Sequence, residues 1–276
     1  AVCQAWGVDT LEPLDGGQGM AFVGGGVVLK PVLDPRQFDW LAGVLSELPP
    51  VDDLRIIRPR PAGDGRRAVE GWSAWEYLEG EVDAERWRDA LRVSDRFHDI
   101  VSGVPWSPAV RGCHRWAIGD AFAWGEADIS FPDRFRPLIN ELTEFCHSVD
   151  NLACQLVHGD LGGNIVFHPE LAPAVIDVSP YWRPKRYADA IIVADACAWA
   201  GADLQALGSF RDPVGVQMIY RAILFRLGAA AIAFDGRDER FGVEVAAYQP
   251  VVQALGTAGP DSSSGNRTTA LGVEGA

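Results

Sequence analysis

The sequence predicts an α+β chain, with short strands gathered before residue 79 and helices predominating after it. Three observations carry this. Residues 14–30, LDGGQGMAFVGGGVVLK, read as a glycine-rich hairpin whose second strand, Val27-Val28-Leu29, ends on a lysine. From Ala84 onward apolar residues such as Trp87, Leu91, Phe97 and Val101 recur at spacings that favour helices. Residues 155–179, QLVHGDLGGNIVFHPELAPAVIDVS, set Asp160, Asn164 and Asp177 on turns between short apolar strands.

Residues 1–15 are irregular, with a turn at Pro13 and Asp15. Gly16, Gly17 and Gly19 then precede Ala21-Phe22-Val23, and Gly24–Gly26 turn the chain into the Val27–Lys30 strand. Glycines let backbone amides approach phosphates closely, and a lysine at the strand end can reach the α and β phosphates. No Gly-Lys-Ser/Thr follows, so this is not a Walker loop. Asp34-Pro35 caps and opens a helix whose apolar face is Leu41, Val44, Leu45 and Leu48, and Pro49-Pro50 ends it. Strands are expected at 54–57, 68–72 and 74–78 around the turn Gly63-Asp64-Gly65. A helix follows over 84–101, with His98 read as a packing or hydrogen-bonding side chain. Residues 103–130 read as irregular, their tryptophans 106, 116 and 124 filling a core or a cleft wall. Helices are expected again over 132–148, after Pro184, from Asp212-Pro213 to Phe234, and from Asp238 to Leu255. The Gly/Ser/Thr-rich residues 256–276 read as a disordered tail.

Phosphoryl transfer from a nucleoside triphosphate needs one group to receive the acceptor's proton and two to hold magnesium against the phosphates. Asp160, Asn164 and Asp177 supply three such oxygen-bearing side chains. Hard oxygen donors suit magnesium, which takes only one or two protein carboxylates and keeps several waters.

Composition narrows the partners. The net charge of -14 argues against a nucleic-acid backbone and suits a cationic substrate or plain solubility. Only Lys30 and Lys185 are lysines among 24 basic residues, so each stands where a compact point charge is wanted. Five scattered cysteines without a CxxC pair fit a reducing compartment. Cys113-His114 and Cys146-His147 match no zinc-finger spacing. The absence of a charged-then-apolar leader, and an apolar run of only Leu227–Phe234, predict a soluble cytoplasmic protein without a membrane span.

His158-Gly159-Asp160 followed by Asn164 and Asp177 resembles the catalytic stretch of the aminoglycoside phosphotransferase family, the small-molecule branch of the protein-kinase-like fold. One departure stands out: three residues, Leu161-Gly162-Gly163, separate the aspartate from the asparagine, where the general kinase pattern has four. The resemblance covers roughly residues 12–255. It implies a bilobal fold, with a nucleotide-binding lobe over 1–79 and a catalytic and substrate lobe over 80–255. It implies ATP and Mg2+ as cofactors and a small-molecule hydroxyl as acceptor, with Asp160, Asn164 and Asp177 catalytic and the last two holding the metal. Lys30 and glycines 16, 17 and 19 would bind phosphates, and the Glu76 carbonyl and Leu78 amide would bind adenine. His158 and Asp189 would support the loop. Asp39 and Glu47 are the candidate partners for Lys30, and Tyr181, Trp182 and Arg183 the candidate acceptor contacts. Two other readings compatible with these residues are a nucleotide-binding regulatory protein without transfer activity and transfer of AMP to a protein.

Overall fold

Val27-Val28-Leu29 lies in the central strand of an antiparallel sheet in the computed structural model, which describes residues 1–14, 19–147, 149, 151–234 and 238–256. After one helical turn, α1 (Val2–Ala5), come β1 (Glu12–Pro13), β2 (Phe22–Gly24), β3 (Val27–Pro31), α2 (Pro35–Glu47), β4 (Arg55–Ile56), β5 (Ala68–Val69) and β6 (Trp72–Glu76). The sheet order is β1-β2-β3-β6-β5. The loop from β1 to β2 is closed by the Leu14 amide donating to the Ala21 carbonyl at 2.9 Å. Gly19 in that loop has φ +67°, a conformation open to glycine. Gly16 and Gly17 lie outside the described residues.

The expected strand over 68–72 is instead two strands, because Glu70 and Gly71 both have positive φ, 51° and 78°, and turn the chain between them. A two-residue turn with two left-handed positions is the hairpin type whose twist matches its strands. Asp34 caps α2 as expected, its Oδ1 accepting from the Arg36 and Gln37 amides at 3.1 and 3.2 Å. The helix buries Phe38, Leu41 and Leu45, each stabilising by about 1.5–3 kcal/mol.

β7 (Glu81–Val82) follows, then α3 (Trp87–Val101), α4 (Arg115–Ala123), α5 (Arg136–Phe145), β8 (Gln155–His158), β9 (Ile165–Phe167), β10 (Ala174–Val175), β11 (Pro180–Arg183), α6 (Lys185–Trp199), α7 (Pro213–Phe234) and α8 (Asp238–Gly256). A second sheet has the order β4-β10-β9-β7, with β4 parallel to β10, and β8 pairs antiparallel with β11. Residues 55–60 pass from one sheet to the other, since the Arg60 amide donates to Ala74 at 2.8 Å. A strand from the first part of the chain is thereby tied to the strands that flank Asp160 and Asp177.

Helix α7 is the axis of the larger core, packed by α4, α5, α6 and α8. It is long and apolar enough to cross a membrane by length and composition, yet 78% of that stretch is buried inside the protein. Helix α4 corrects the expectation of irregular structure over 103–130. Its Gly119 lies against α7, where a Cβ would come within 2.7 Å of the Phe225 carbonyl and 2.9 Å of the Ala229 amide. The glycine that weakens its helical propensity is what permits the close crossing.

Candidate active site

Strand β8 ends at His158, and the chain then squeezes past Tyr181 of β11. A Cβ on Gly159 would lie 2.2 Å from the tyrosine ring, so the loop needs glycine there. The Gly159 amide donates to the Ser179 carbonyl at 2.9 Å. The short Asp160–Asn164 spacer forms one 3-10 turn over Leu161–Gly163, closed by the Asn164 amide donating to the Leu161 carbonyl at 3.0 Å. Asn164 Nδ2 then donates to the Asp160 carbonyl at 2.6 Å and to Asp160 Oδ2 at 3.1 Å. Both partners are acceptors, which fixes the orientation of the amide. The missing residue is absorbed by the tight turn, and the asparagine still lies beside the aspartate.

Asp177 follows β10 with φ 48°, uncommon for a side chain with a Cβ and least costly for Asp or Asn. Non-glycine residues held in this region cluster at functional sites. Lys30 Nζ lies 3.1 Å from Asp177 Oδ1. Neither Asp39 nor Glu47 pairs with it: both are exposed on α2, and the buried face of that helix is apolar. Lys30, Asp160 and Asp177 line one cavity of about 220 Å³, with Gln37 and Phe38 of α2 on one wall and Phe225 and Arg226 of α7 on another. Glu76 and Leu78 do not line it. They lie where β6 leaves the first sheet, and the Glu76 amide is taken by the Arg58 carbonyl at 2.9 Å.

A relay of buried polar groups holds the loop from behind. Asp160 N–H donates to His158 Nδ1 at 3.0 Å, so His158 carries its proton on Nε2, which donates to the Ile176 carbonyl at 3.1 Å. The His158 amide donates to His98 Nε2 at 3.1 Å, and His98 Nδ1 donates to the Ser94 carbonyl at 2.7 Å. Ser94 Oγ donates to Asp189, which Lys185 also engages at 2.7 Å. His158, His98 and Asp189 are thus linked through hydrogen bonds behind the loop.

Burial keeps both imidazoles neutral, His98 being pushed down to about 3 and His158 also lowered. Their folded values lie below the ordinary 6.5, so the unfolded chain takes up these protons first as pH falls. Their contribution to stability is present above pH 6.5 and is lost on acidification. Unfolding free energies from urea titration are expected to be at least about 1 kcal/mol lower at pH 5.5 than at pH 7.5, from His98 alone. Equal stability at the two values would mean the imidazoles are charged in the fold.

Of the three acceptor contacts expected just after Asp177, Tyr181 lines the cavity, while Trp182 and Arg183 do not. Tyr181 is buried under Gly159 and edge-on to Phe225, and it lines the cavity from below. Trp182 stacks on Trp106 at 6.0 Å. Arg183 is buried, donating to Asp120 at 2.6 Å and to Glu126 at 2.8 Å. In a β-strand alternate side chains face opposite sides, and here the sides of 182 and 183 are packed.

Arg226, Asp195 and Glu244 were not singled out from the sequence. Arg226 Nη2 bridges Asp160 Oδ1 and Asp195 Oδ2, each at 2.5 Å, and Tyr248 Oη donates to Asp195 Oδ1 at 2.7 Å. The available signal was an arginine inside the apolar run IYRAILFRLGAAAIAF, because an arginine buried in a core helix needs partners.

No family model matches the sequence, and no curated protein matches it. Solved structures do. Aminoglycoside phosphotransferase APH(4)-Ia superposes with a TM-score of 0.63 at 16% identity, covering 92% of this chain and 96% of its own. A microcompartment-associated aminopropanol kinase gives 0.62 at 14%, covering 93% and 96%. LicA in complex with AMP gives 0.57 at 14%, covering 91% and 93%. At such identity the likeness speaks for architecture, and this chain therefore has the bilobal protein-kinase-like fold seen in aminoglycoside phosphotransferases and the aminopropanol kinase.

Proposed function

We propose that this protein transfers the γ-phosphoryl group of ATP to a hydroxyl of a small molecule, as a member of the aminoglycoside phosphotransferase-like kinases. The observation that carries the reading is the meeting of Lys30, Asp160 and Asp177 around one cavity, from three separate parts of the chain. The similar structures support it, among them an aminopropanol kinase and an aminoglycoside phosphotransferase in a ternary complex with AMP-PNP and hygromycin B.

Asp177 fits a magnesium ligand: its carboxylate is 58% exposed on a strained backbone, and its partner is a lysine that phosphates would engage. Asn164 would be the second protein ligand. When bound, magnesium would neutralise charge on the donor phosphates. Lys30 would hold the α and β phosphates. Asp160 would orient the acceptor hydroxyl and receive its proton late, since a loose transition state asks for positioning more than for a strong base. Arg226 and Asn164 each take one oxygen of Asp160, and a carboxylate has about four lone-pair sites, so a hydroxyl can still donate to it.

Isothermal titration with ATP and magnesium, followed by an acceptor screen for ADP, tests this. Lys30→Ala is expected to weaken nucleotide binding about 10- to 100-fold. Absence of nucleotide binding by the unaltered protein would overturn the reading, and release of AMP would replace it with nucleotidyl transfer.

A further inference from the structure

Arg226 reaches the catalytic loop from α7, a helix remote from it along the chain, and two of its guanidinium nitrogens are already held. Nε donates to Asp195 Oδ2 at 3.0 Å, and Nη2 bridges Asp195 and Asp160. Asp195 is itself braced by the Tyr248 hydroxyl. Nη1, on the same carbon as Nη2, has no hydrogen-bond partner among the described residues and is not one of the sealed, unpaired nitrogens of the core. The side chain borders two cavities, the one shared with Lys30 and Asp177 and a second of about 390 Å³ beside the turn over 161–163. Asp160 lines both as well, so the two residues stand together where the cavities adjoin.

A phosphoryl group in transfer spreads negative charge over its equatorial oxygens, and positive charge fixed beforehand at that point accelerates the step. Cations are scarce here. Among the described residues lining the cavity with Asp160 and Asp177, Lys30 and Arg226 are the only permanent ones, since burial lowers the pKa of His114. Lys30 lies against Asp177, where it would serve the α and β phosphates. The spacer Leu161-Gly162-Gly163 carries no charge, and Arg183, the first basic residue after Asp177, is buried against Asp120. Burial works against the charge on Arg226, but Asp195 and Asp160 outweigh it and keep the guanidinium ionised. Glu244, which also feels Arg226, lies farther along the wall of the second cavity.

Resting on the kinase reading for the reaction, we propose that Arg226 is a catalytic residue whose Nη1 donates to an oxygen of the phosphoryl group as it passes to the acceptor. The bond from the γ-phosphorus to its bridging oxygen breaks and a bond to the acceptor oxygen forms. The hydroxyl proton goes to Asp160, and ADP leaves. Nε and Nη2 keep their acids throughout, so the third nitrogen is in place before the charge develops. One planar guanidinium thereby holds the base and the migrating group in register, which an ammonium with its single nitrogen does not reproduce.

The probe is ADP with magnesium and tetrafluoroaluminate, a planar anion that takes the place of the migrating phosphoryl group and needs no acceptor. Calorimetry is expected to show fluoroaluminate tightening ADP binding at least about tenfold in the unaltered protein, and to a similar degree in Asp160→Asn. Adding Arg226→Lys to Asp160→Asn is expected to remove most of that gain while ADP alone binds within about twofold. A residue that acts only by positioning the Asp160 carboxylate has nothing left to position in this background. Undiminished tightening in the double variant would therefore overturn the assignment and leave the kinase reading standing. ADP binding that fluoroaluminate does not tighten in the unaltered protein would do the same. Should the double variant fail to fold, Asp160→Asn with Asp195→Asn and Arg226→Gln removes the charges of all these residues together and carries the same expectation. Absence of any nucleotide binding by the unaltered protein would overturn both the assignment and the kinase reading.

Discussion

Asp160→Asn is expected to lower kcat about a thousandfold while leaving nucleotide affinity within about twofold of the unaltered protein. The expectation follows from what the substitution spares. Asn164 Nδ2 still has the Asp160 backbone carbonyl at 2.6 Å, the Gly159 and Asn164 amides keep their carbonyl partners, and the amide of residue 160 still donates to His158. Lys30 and Asp177 are untouched. What disappears is the carboxylate that orients the hydroxyl and takes its proton. Single-turnover kinetics alongside calorimetry separate the two effects, and unchanged turnover would remove Asp160 from the reaction.

Arg226→Met is expected to lower the unfolding free energy by about 3 kcal/mol. The guanidinium side chain is 11% exposed and answers both Asp160 and Asp195. Removing it leaves two half-buried carboxylates, 40% and 25% exposed, facing each other without a cation, and charges stripped of a partner are costly in a way that an apolar replacement of the whole pair is not. In the background of Asp195→Asn the same substitution is therefore expected to cost at least about 1 kcal/mol less. Urea denaturation of the four proteins measures this coupling. Additive effects would mean that Arg226 is held by packing on Phe225 and Trp116 and not by its acids.

Local chemistry was the part written plainly along the chain. The Asp34-Pro35 start of α2, the glycine-rich approach to Lys30 and the His158-Gly159-Asp160 loop each depend on residues within a few positions of one another. Such features are settled by turn geometry, capping and strand pattern. The shortened Asp160–Asn164 spacer read as a departure, yet a 3-10 turn with two glycines accommodates it, because what matters is where the asparagine amide arrives and not how many residues lead to it.

What surrounds that loop was decided by packing. The sequence by itself determined the capped start of α2, the strand that carries Lys30 and the turn between short strands that carries Asp160. Only the tertiary structure decided that Lys30 faces Asp177 and not an acid of α2, that Arg183 turns inward to Asp120, and that Asp195, Arg226 and Glu244 share a cavity wall. Those three residues lie on three different helices, so no spacing along the chain relates them. They are brought together because Gly119 and its neighbours let α4 press against α7, and α6 and α8 close on the same helix, burying apolar faces whose fit sets the angle at which each polar side chain emerges.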